Sequence, residues 1–371
     1  MNKTSILVTN SGVNTYTGGG IVSFNLLEAL REMTDVKLLL SNQHFKDSKY
    51  DDIPAYCLDP AQYGYDDPFF YDYMASSLIP DEYIDLAVFY ACPFGKTAYK
   101  LKKENFTKVI SDLAPHNIQI SMEEHIKWSG NYPYPHLTNE FLRGLYLKHL
   151  QLSDTVIVHS HSSAKYIMET AQLKELPVVI PHGCYLPEEK DILPYPDDFR
   201  IGYFGSTGLD KGLIYLLRGW LKSNVTEESK LWIGGAGTEN VLEIYKIDKD
   251  FINRFHVVGA IEHINHFFNN ISVYVQPSIQ DGFGITPLEA MSFKRPVIVS
   301  EGAGVSELVE DGKNGFVVPM RSPEAIQEKI EYFVDTPMEI KRMGENAYKT
   351  ASKWTWGIVK QKYIDVFKEL I

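Results

Sequence analysis

An α/β fold with two parallel sheets is what the sequence predicts, and three observations predict it. Short apolar runs rich in β-branched residues recur without polar alternation, which is the pattern of strands buried on both faces of a parallel sheet. Helical segments separate these runs, as parallel crossovers require. The chain has 371 residues, roughly two to three times the size of a single-core domain.

The first series of strands is expected at Ile6–Val8, Val36–Leu40, Leu86–Phe89, Lys108–Ile110, Thr155–Val158 and Val178–Ile180. The second is expected at Arg200–Phe204, Lys230–Ile233, Phe255–Val258, Val273–Val275, Pro296–Val299 and Gly315–Val318. Helices are expected between them, for example at Ile21–Arg31 and Gly212–Leu221. Pro187, Pro194, Pro196 and the charged run Glu188 to Asp191 break the pattern at 184–199, the place for a boundary. The expected division is an N-terminal domain over 1–190, a C-terminal domain over 197–355, and a last helix over 356–371 that crosses back to the first domain. Ligands of open α/β sheets bind beyond the carboxyl ends of the strands. Two such domains facing each other would hold a ligand in the cleft between them.

Composition excludes several classes. Apolar residues make up 44% and charged residues 23%, so the chain can build cores and is not a disordered one. The net charge of −12 argues against a nucleic-acid partner, which calls for a basic domain or stripe. No run approaches the ~18 apolar residues of a membrane-spanning helix. Ser5-Ile6-Leu7-Val8 is too short for a secretory leader and reads as a first strand. Three cysteines without C-x-x-C spacing indicate neither a disulfide framework nor a zinc site, which fits a reducing cytoplasm. No D-x-D or other metal cluster marks a strand end, and no resident cofactor or metal is expected. Lys96, Lys100, Lys102, Lys103 and Lys108 form a basic run, read as a solvated helix face, with peripheral contact to anionic lipid as the alternative. Two aromatic clusters, Tyr56 to Tyr73 and Trp128 to Tyr134, read as packing, with stacking on an acceptor as the alternative.

The most informative segment runs from Val275 to Met291. A buried strand ends, a glycine-rich loop follows, and a helix starts near Pro287, a residue suited to a first turn. Gly282 and Gly284 allow a ligand to approach the backbone. The amides of Phe283, Gly284 and Ile285 are placed to meet an anion at the helix N-terminus. Thr286-Pro287-Leu288-Glu289 also reads as a capping box, in which Glu289 only closes the helix end. Asp281, eight residues earlier on the same loop, points instead to two carboxylates gripping the hydroxyls of a polyol.

This segment resembles the E-x7-E signature around G-F-G of family-4 retaining glycosyltransferases, the group 1 glycosyltransferases of the GT-B fold. The likeness extends over most of the C-terminal half. Tyr203-Phe204-Gly205 with Lys211-Gly212 resembles the family's strand and G-R-x4-K-G element. Leu231 to Gly237 and Asp311-Gly312-Lys313-Asn314-Gly315 resemble further turns. The resemblance implies that Glu289 holds the ribose hydroxyls of a nucleotide and Asp281 those of the donor sugar. It implies that Phe283, Gly284, Ile285 and Thr286 line the donor, and that Lys211 neutralises the leaving diphosphate. Two positions depart from the family. Asp281 stands where a glutamate is usual, which shortens the reach by roughly 1.5 Å. Ser206 stands where an arginine is usual, replacing a bidentate cation by a hydroxyl. Lys294 and Arg295 are candidates to supply the missing charge, with a plain surface pair as the alternative.

The N-terminal half resembles the family less closely. The loop from Gly12 to Gly20 looks like the family's glycine loop, which puts Gly18 and Gly19 at the donor diphosphate or acceptor; a plain connection is the alternative. Ser111-Asp112-Leu113-Ala114-Pro115-His116 resembles the strand end that carries an active-site histidine, with His116 as the candidate and Ser111 as the other register. Pro181-His182-Gly183 resembles a family turn before the linker. The function these likenesses imply is retaining, metal-independent transfer of a hexose-type sugar from a UDP- or GDP-sugar to a hydroxyl of a glycan, glycolipid or small molecule. The expected location is cytoplasmic or at the inner face of a membrane. The alternative is a degenerate, non-catalytic subunit that stabilises an active partner.

Overall fold

The computed structural model describes residues 3–9, 13, 18–40, 50, 52–57, 72, 75–79, 83–90, 95–104, 107–113, 118–129, 140–261 and 264–371. The chain falls into two compact units. The first comprises Met1–Pro115, Tyr134–His182 and Trp356–Ile371, and the second comprises His116–Pro133 and Gly183–Thr355.

In the first unit a parallel sheet is built from β1 (Thr4–Thr9), β2 (Asp35–Leu40), β3 (Ala55–Cys57), β4 (Leu86–Tyr90), β5 (Lys108–Leu113), β6 (Thr155–Val158) and β7 (Val178–Val179). Their order is β3-β2-β1-β4-β5-β6-β7. Leu7 of the interior strand β1 faces Leu38 on one side and Val88 on the other. Ile6, Leu7 and Val8 are all buried, which is why the run shows no alternation. β3 was not among the expected strands. Its three residues pair only with β2 at the edge of the sheet, too short a run to register as periodicity.

The helix Gly18–Arg31 follows β1 and starts three residues earlier than expected, so Gly18, Gly19 and Gly20 open the helix rather than close the loop. The helix Trp356–Leu370 packs on it with Trp356, Val359, Tyr363 and Phe367 buried, a stripe at helical spacing. The basic run is largely engaged by the protein. Lys100 donates to the Ser76 carbonyl at 3.0 Å, and Lys102 pairs with Asp154, which also lies 3.9 Å from Lys108.

In the second unit the strands are β8 (Arg200–Phe204), β9 (Lys230–Gly234), β10 (Phe255–Gly259), β11 (Val273–Gln276), β12 (Val297–Ser300) and β13 (Gly315–Val318). Their order is β10-β9-β8-β11-β12-β13, again all parallel. The chain runs outward from β8 to β10, then returns to the other side of β8 to continue with β11. The neighbours β8 and β11 are therefore the point where the winding reverses, the place where open sheets leave a crevice at their carboxyl ends. One face of the sheet is covered by Leu213, Leu216, Leu217 and Trp220 of the helix Leu213–Lys222, and the other by Phe267, Phe268, Leu288 and Met291.

Candidate functional site

At the reversal point two turns meet. After β8 the chain passes Gly205 to Gly208, makes a short 3-10 turn at Leu209–Lys211, and enters the helix Leu213–Lys222 through Gly212. After β11 it passes through Pro277 to Gly284 into the helix Ile285–Ser292. Gly212 has φ +68°, and a Cβ built on it would stand 1.9 Å from the Pro277 carbonyl oxygen. No residue with a side chain fits where these two backbones touch. The contact is bonded as well: the amides of Ile279 and Gln280 donate to the Asp210 carbonyl at 2.7 and 3.3 Å.

That contact brings Lys211 to Asp281. The Lys211 ammonium donates to an Asp281 carboxylate oxygen at 2.7 Å, across 70 residues of sequence. Burial works against the charge on Lys211, but Asp281 and Asp210 outweigh it and hold the pKa above the usual lysine value. Asp281 is fixed by its backbone, donating to Gly302 at 2.9 Å and accepting from Gly304 at 3.0 Å. The shorter carboxylate at this position therefore has a defined partner. Asp210 was not among the candidates, and the only signal for it in the sequence is its place beside Lys211.

The helix that follows settles the role of the capping box. Its N-cap is Gly284, at φ +83° and ψ +90°, with no side-chain cap. Thr286 therefore lies inside the first turn, where its hydroxyl is bonded to Tyr274 rather than capping. Glu289 is thereby released from the capping role. Glu289 is half-buried, and burial pushes its pKa up to about 7. Gly284 and Ile285 present amides at the end of a helix where no intrahelical carbonyl reaches them. Phe283 puts its ring in the core, at 2% exposure, and its carbonyl accepts from Val305 at 2.7 Å, which anchors the loop.

The other candidates fall as follows. Ser206 is exposed on the β8 turn, and its carbonyl accepts from the Tyr203 hydroxyl at 2.6 Å. Gly18 and Gly19 open the helix that follows β1 in the first unit. His116 lies outside the described residues, as do Tyr63, Tyr65, Phe69, Phe70, Tyr71, Tyr73, Tyr132 and Tyr134 of the aromatic clusters. Ser111 is buried within β5 and bonded to His149 at 2.7 Å, so the strand runs further than expected and this serine is part of its packing. His182 is buried against His159, ring centroids 3.7 Å apart. The Lys294 and Arg295 candidates are overturned as donors of charge to this site. Arg295 is buried and donates to the carbonyls of Phe268 and Leu193 at 2.8 and 3.0 Å, and Lys294 pairs with Glu345 at 3.1 Å. Both precede β12, at the amino end of the sheet, where their hydrogen-bonding groups serve the backbone and a helix.

Comparison with known proteins finds likenesses to this arrangement. Residues 187–350 match the model described as glycosyl transferases group 1. The capsular polysaccharide biosynthesis glycosyltransferase CapM of Staphylococcus aureus is 31% identical over 192 residues, 49% of this chain and 50% of that protein. The lipopolysaccharide core biosynthesis mannosyltransferase LpcC of Rhizobium leguminosarum is 28% identical over 213 residues, 53% of this chain and 58% of that protein. The chain thus spans about half the length of the curated relatives it matches. Among solved structures, sucrose-phosphate synthase from Thermosynechococcus elongatus superposes with a TM-score of 0.81 at 17% identity, covering 99% of both chains. Anabaena HepE in complex with UDP does so with a TM-score of 0.74 at 16% identity, covering 99% of this chain and all of the other. Among the described residues no helix is long and apolar enough to cross a membrane. Residues 187–350 thus resemble a glycosyl transferases group 1 domain, in a chain with the two parallel-sheet α/β domains of the GT-B fold.

Proposed function

We propose that the chain is a retaining glycosyltransferase that moves a hexose-type sugar from a nucleoside diphosphate donor to an acceptor hydroxyl. The observation that carries this reading is the meeting of Lys211 and Asp281 at the reversal point, beside the amides of a helix N-terminus. A diphosphate needs positive charge, and Lys211 with the amides of Gly284 and Ile285 supplies it. A sugar and a ribose need hydroxyl acceptors, and Asp281 and Glu289 supply those. UDP is the first nucleotide to try, because complexes of HepE with UDP and UDP-glucose exist on this fold; GDP is the second.

In the reaction, the bond from the anomeric carbon to the diphosphate oxygen breaks and its electron pair stays on the diphosphate. The acceptor oxygen bonds to the anomeric carbon on the face the leaving group vacates, and its proton passes to a phosphate oxygen. Lys211 opposes the charge that grows on the leaving group, which is worth ~3 kcal/mol for a preorganised donor. Because the cation is a side chain of the protein, we read the reaction as metal-independent and without a resident cofactor. A glycan or lipid-linked acceptor is the reading favoured by the names of CapM and LpcC, and a cytoplasmic or peripheral membrane location follows from such an acceptor.

The test is incubation of the purified chain with UDP- and GDP-hexoses, with and without acceptor, in the presence of EDTA. Release of the diphosphate, and a product whose anomeric proton has the donor's configuration by NMR, is the expected result. The non-catalytic alternative rests on Asp281 and Ser206. Nucleotide binding without turnover of any donor would establish that alternative instead.

A further inference from the structure

The helix Ile118–Ser129 lies in sequence between β5 and the helix Glu140–Leu152 of the first unit, yet it packs as part of the second. It rests against the Leu209–Lys211 turn, with Ile120 and Trp128 on the apolar layer that the helix Leu213–Lys222 covers. One carboxylate holds it there. The Glu124 side chain is fully buried and accepts hydrogen bonds from the Tyr215 hydroxyl, from Trp128 Nε1 at 2.6 Å and from Arg321 Nε at 2.7 Å. Lys127 donates to the same Tyr215 hydroxyl at 2.8 Å, and the Arg218 guanidinium covers the Trp128 ring at 4.4 Å. Burial opposes the charge on Glu124, but the bonds from Tyr215, Arg321 and Trp128 hold its carboxyl below the usual glutamate range.

Two features make this more than a packing contact. A buried carboxylate is retained only when its hydrogen bonds are satisfied, and here the donors come from three separate elements. Arg321 also stands at φ +59°, a left-handed conformation uncommon for a residue with a side chain. Tyr215 lies four residues beyond Lys211 in the sequence, on the first turn after Gly212.

We propose that Glu124 is a positioning residue for Lys211. By locking Ile118–Ser129 onto Tyr215, it presses that helix on the Leu209–Lys211 turn and sets where the ammonium points. The inference rests on the reading of Lys211 as the cation that meets the diphosphate. It makes the donor site of the second unit depend on a helix contributed from the N-terminal half of the sequence.

The experiment measures UDP affinity by calorimetry and uridine affinity by ligand-observed NMR, with GDP and guanosine in their place if those bind. Glu124→Gln is expected to weaken UDP about tenfold and leave uridine unchanged, because only the diphosphate reads Lys211. In the Lys211→Ala background the same change is expected to alter UDP affinity less than about twofold. Equal losses of UDP and uridine, or a full added loss on Lys211→Ala, would overturn the proposal and leave Glu124 a packing residue. If Lys211→Ala alone leaves UDP affinity unchanged, the reading of Lys211 fails, and the inference goes with it. Should Glu124→Gln not fold, Tyr215→Phe removes one donor from the same carboxylate, with about a threefold loss confined to UDP as the supporting result.

Discussion

Among the described residues Glu289 carries the clearest pH signature. Burial raises its pKa to about 7, against an ordinary value of 4.5. Below pH 4.5 the carboxyl is protonated in both folded and unfolded chains, so no stability is at stake. Between 4.5 and 7 the folded chain holds a proton that the unfolded chain has lost, and stability falls as pH rises. Above 7 the loss is complete and amounts to up to about 3 kcal/mol. Glu289→Gln is therefore expected to be more stable than the parent at pH 8 and equal to it at pH 4, as thermal melts across that range will show. On the proposed role of Glu289, ribose hydroxyls would donate to its ionised form, so UDP affinity should climb about tenfold from pH 6 to pH 8 and flatten in the glutamine variant. A parent profile without slope would remove Glu289 from the nucleotide site. The other two charges separate by what they do to binding and to transfer. Lys211→Ala should weaken UDP and slow transfer by about 10²-fold or more. Asp281→Asn should slow transfer, because it removes the acceptor proposed for the sugar hydroxyls, without weakening UDP, because Lys211 loses the carboxylate that neutralises it at 2.7 Å.

Among the elements, the turns decide whether those residues meet. Gly212 is the tightest point, since a Cβ there would collide with the Pro277 carbonyl at 1.9 Å and the backbone is left-handed as well. Gly212→Ala should cost about 2 kcal/mol or more and separate Lys211 from Asp281, so UDP binding should fall even in the fraction that folds. Calorimetry on the folded fraction checks this; undiminished UDP affinity would mean that the turns need not touch. How far such detail is readable from sequence depends on the kind of element. Strands buried on both faces announce themselves, and every expected run corresponds to an observed strand. β3 does not, because three residues at an edge carry no periodicity. The capping box at Thr286 to Glu289 was readable but not formed, because Gly284, with its positive φ, starts the helix two residues earlier. Arg295 looked like a spare cation by charge alone, and only the fold shows its guanidinium committed to two carbonyls. The docking of Ile118–Ser129 left no trace at all, since Glu124 finds Tyr215 and Arg321 at separations of 91 and 197 residues.

For the molecule as a whole, the units are discontinuous in sequence, and that is a testable property. The last helix, Trp356–Leu370, belongs to the first unit although the second precedes it. Its buried Trp356, Val359, Tyr363, Ile364 and Phe367 each contribute about 1.5–3 kcal/mol by leaving water, so the first unit depends on it heavily. The second unit closes upon itself at Cys184 and Thr355, where the Cys184 amide donates to the Trp354 carbonyl at 2.9 Å. A chain cut after Thr355 should therefore lose protection against hydrogen exchange in Gly18–Arg31, which the helix packs on, and in β1 beneath it. The strands β8 to β13 should exchange as before. UDP should act on the opposite set of amides, protecting 205–212 and 277–289, and at 100 times its dissociation constant it adds about 2.7 kcal/mol to the stability of whatever it binds. That protection should survive the cut, because Lys211, Asp281, Glu289 and Glu124 all lie within the second unit. Loss of UDP protection on removal of 356–371 would show that the donor site extends into the first unit.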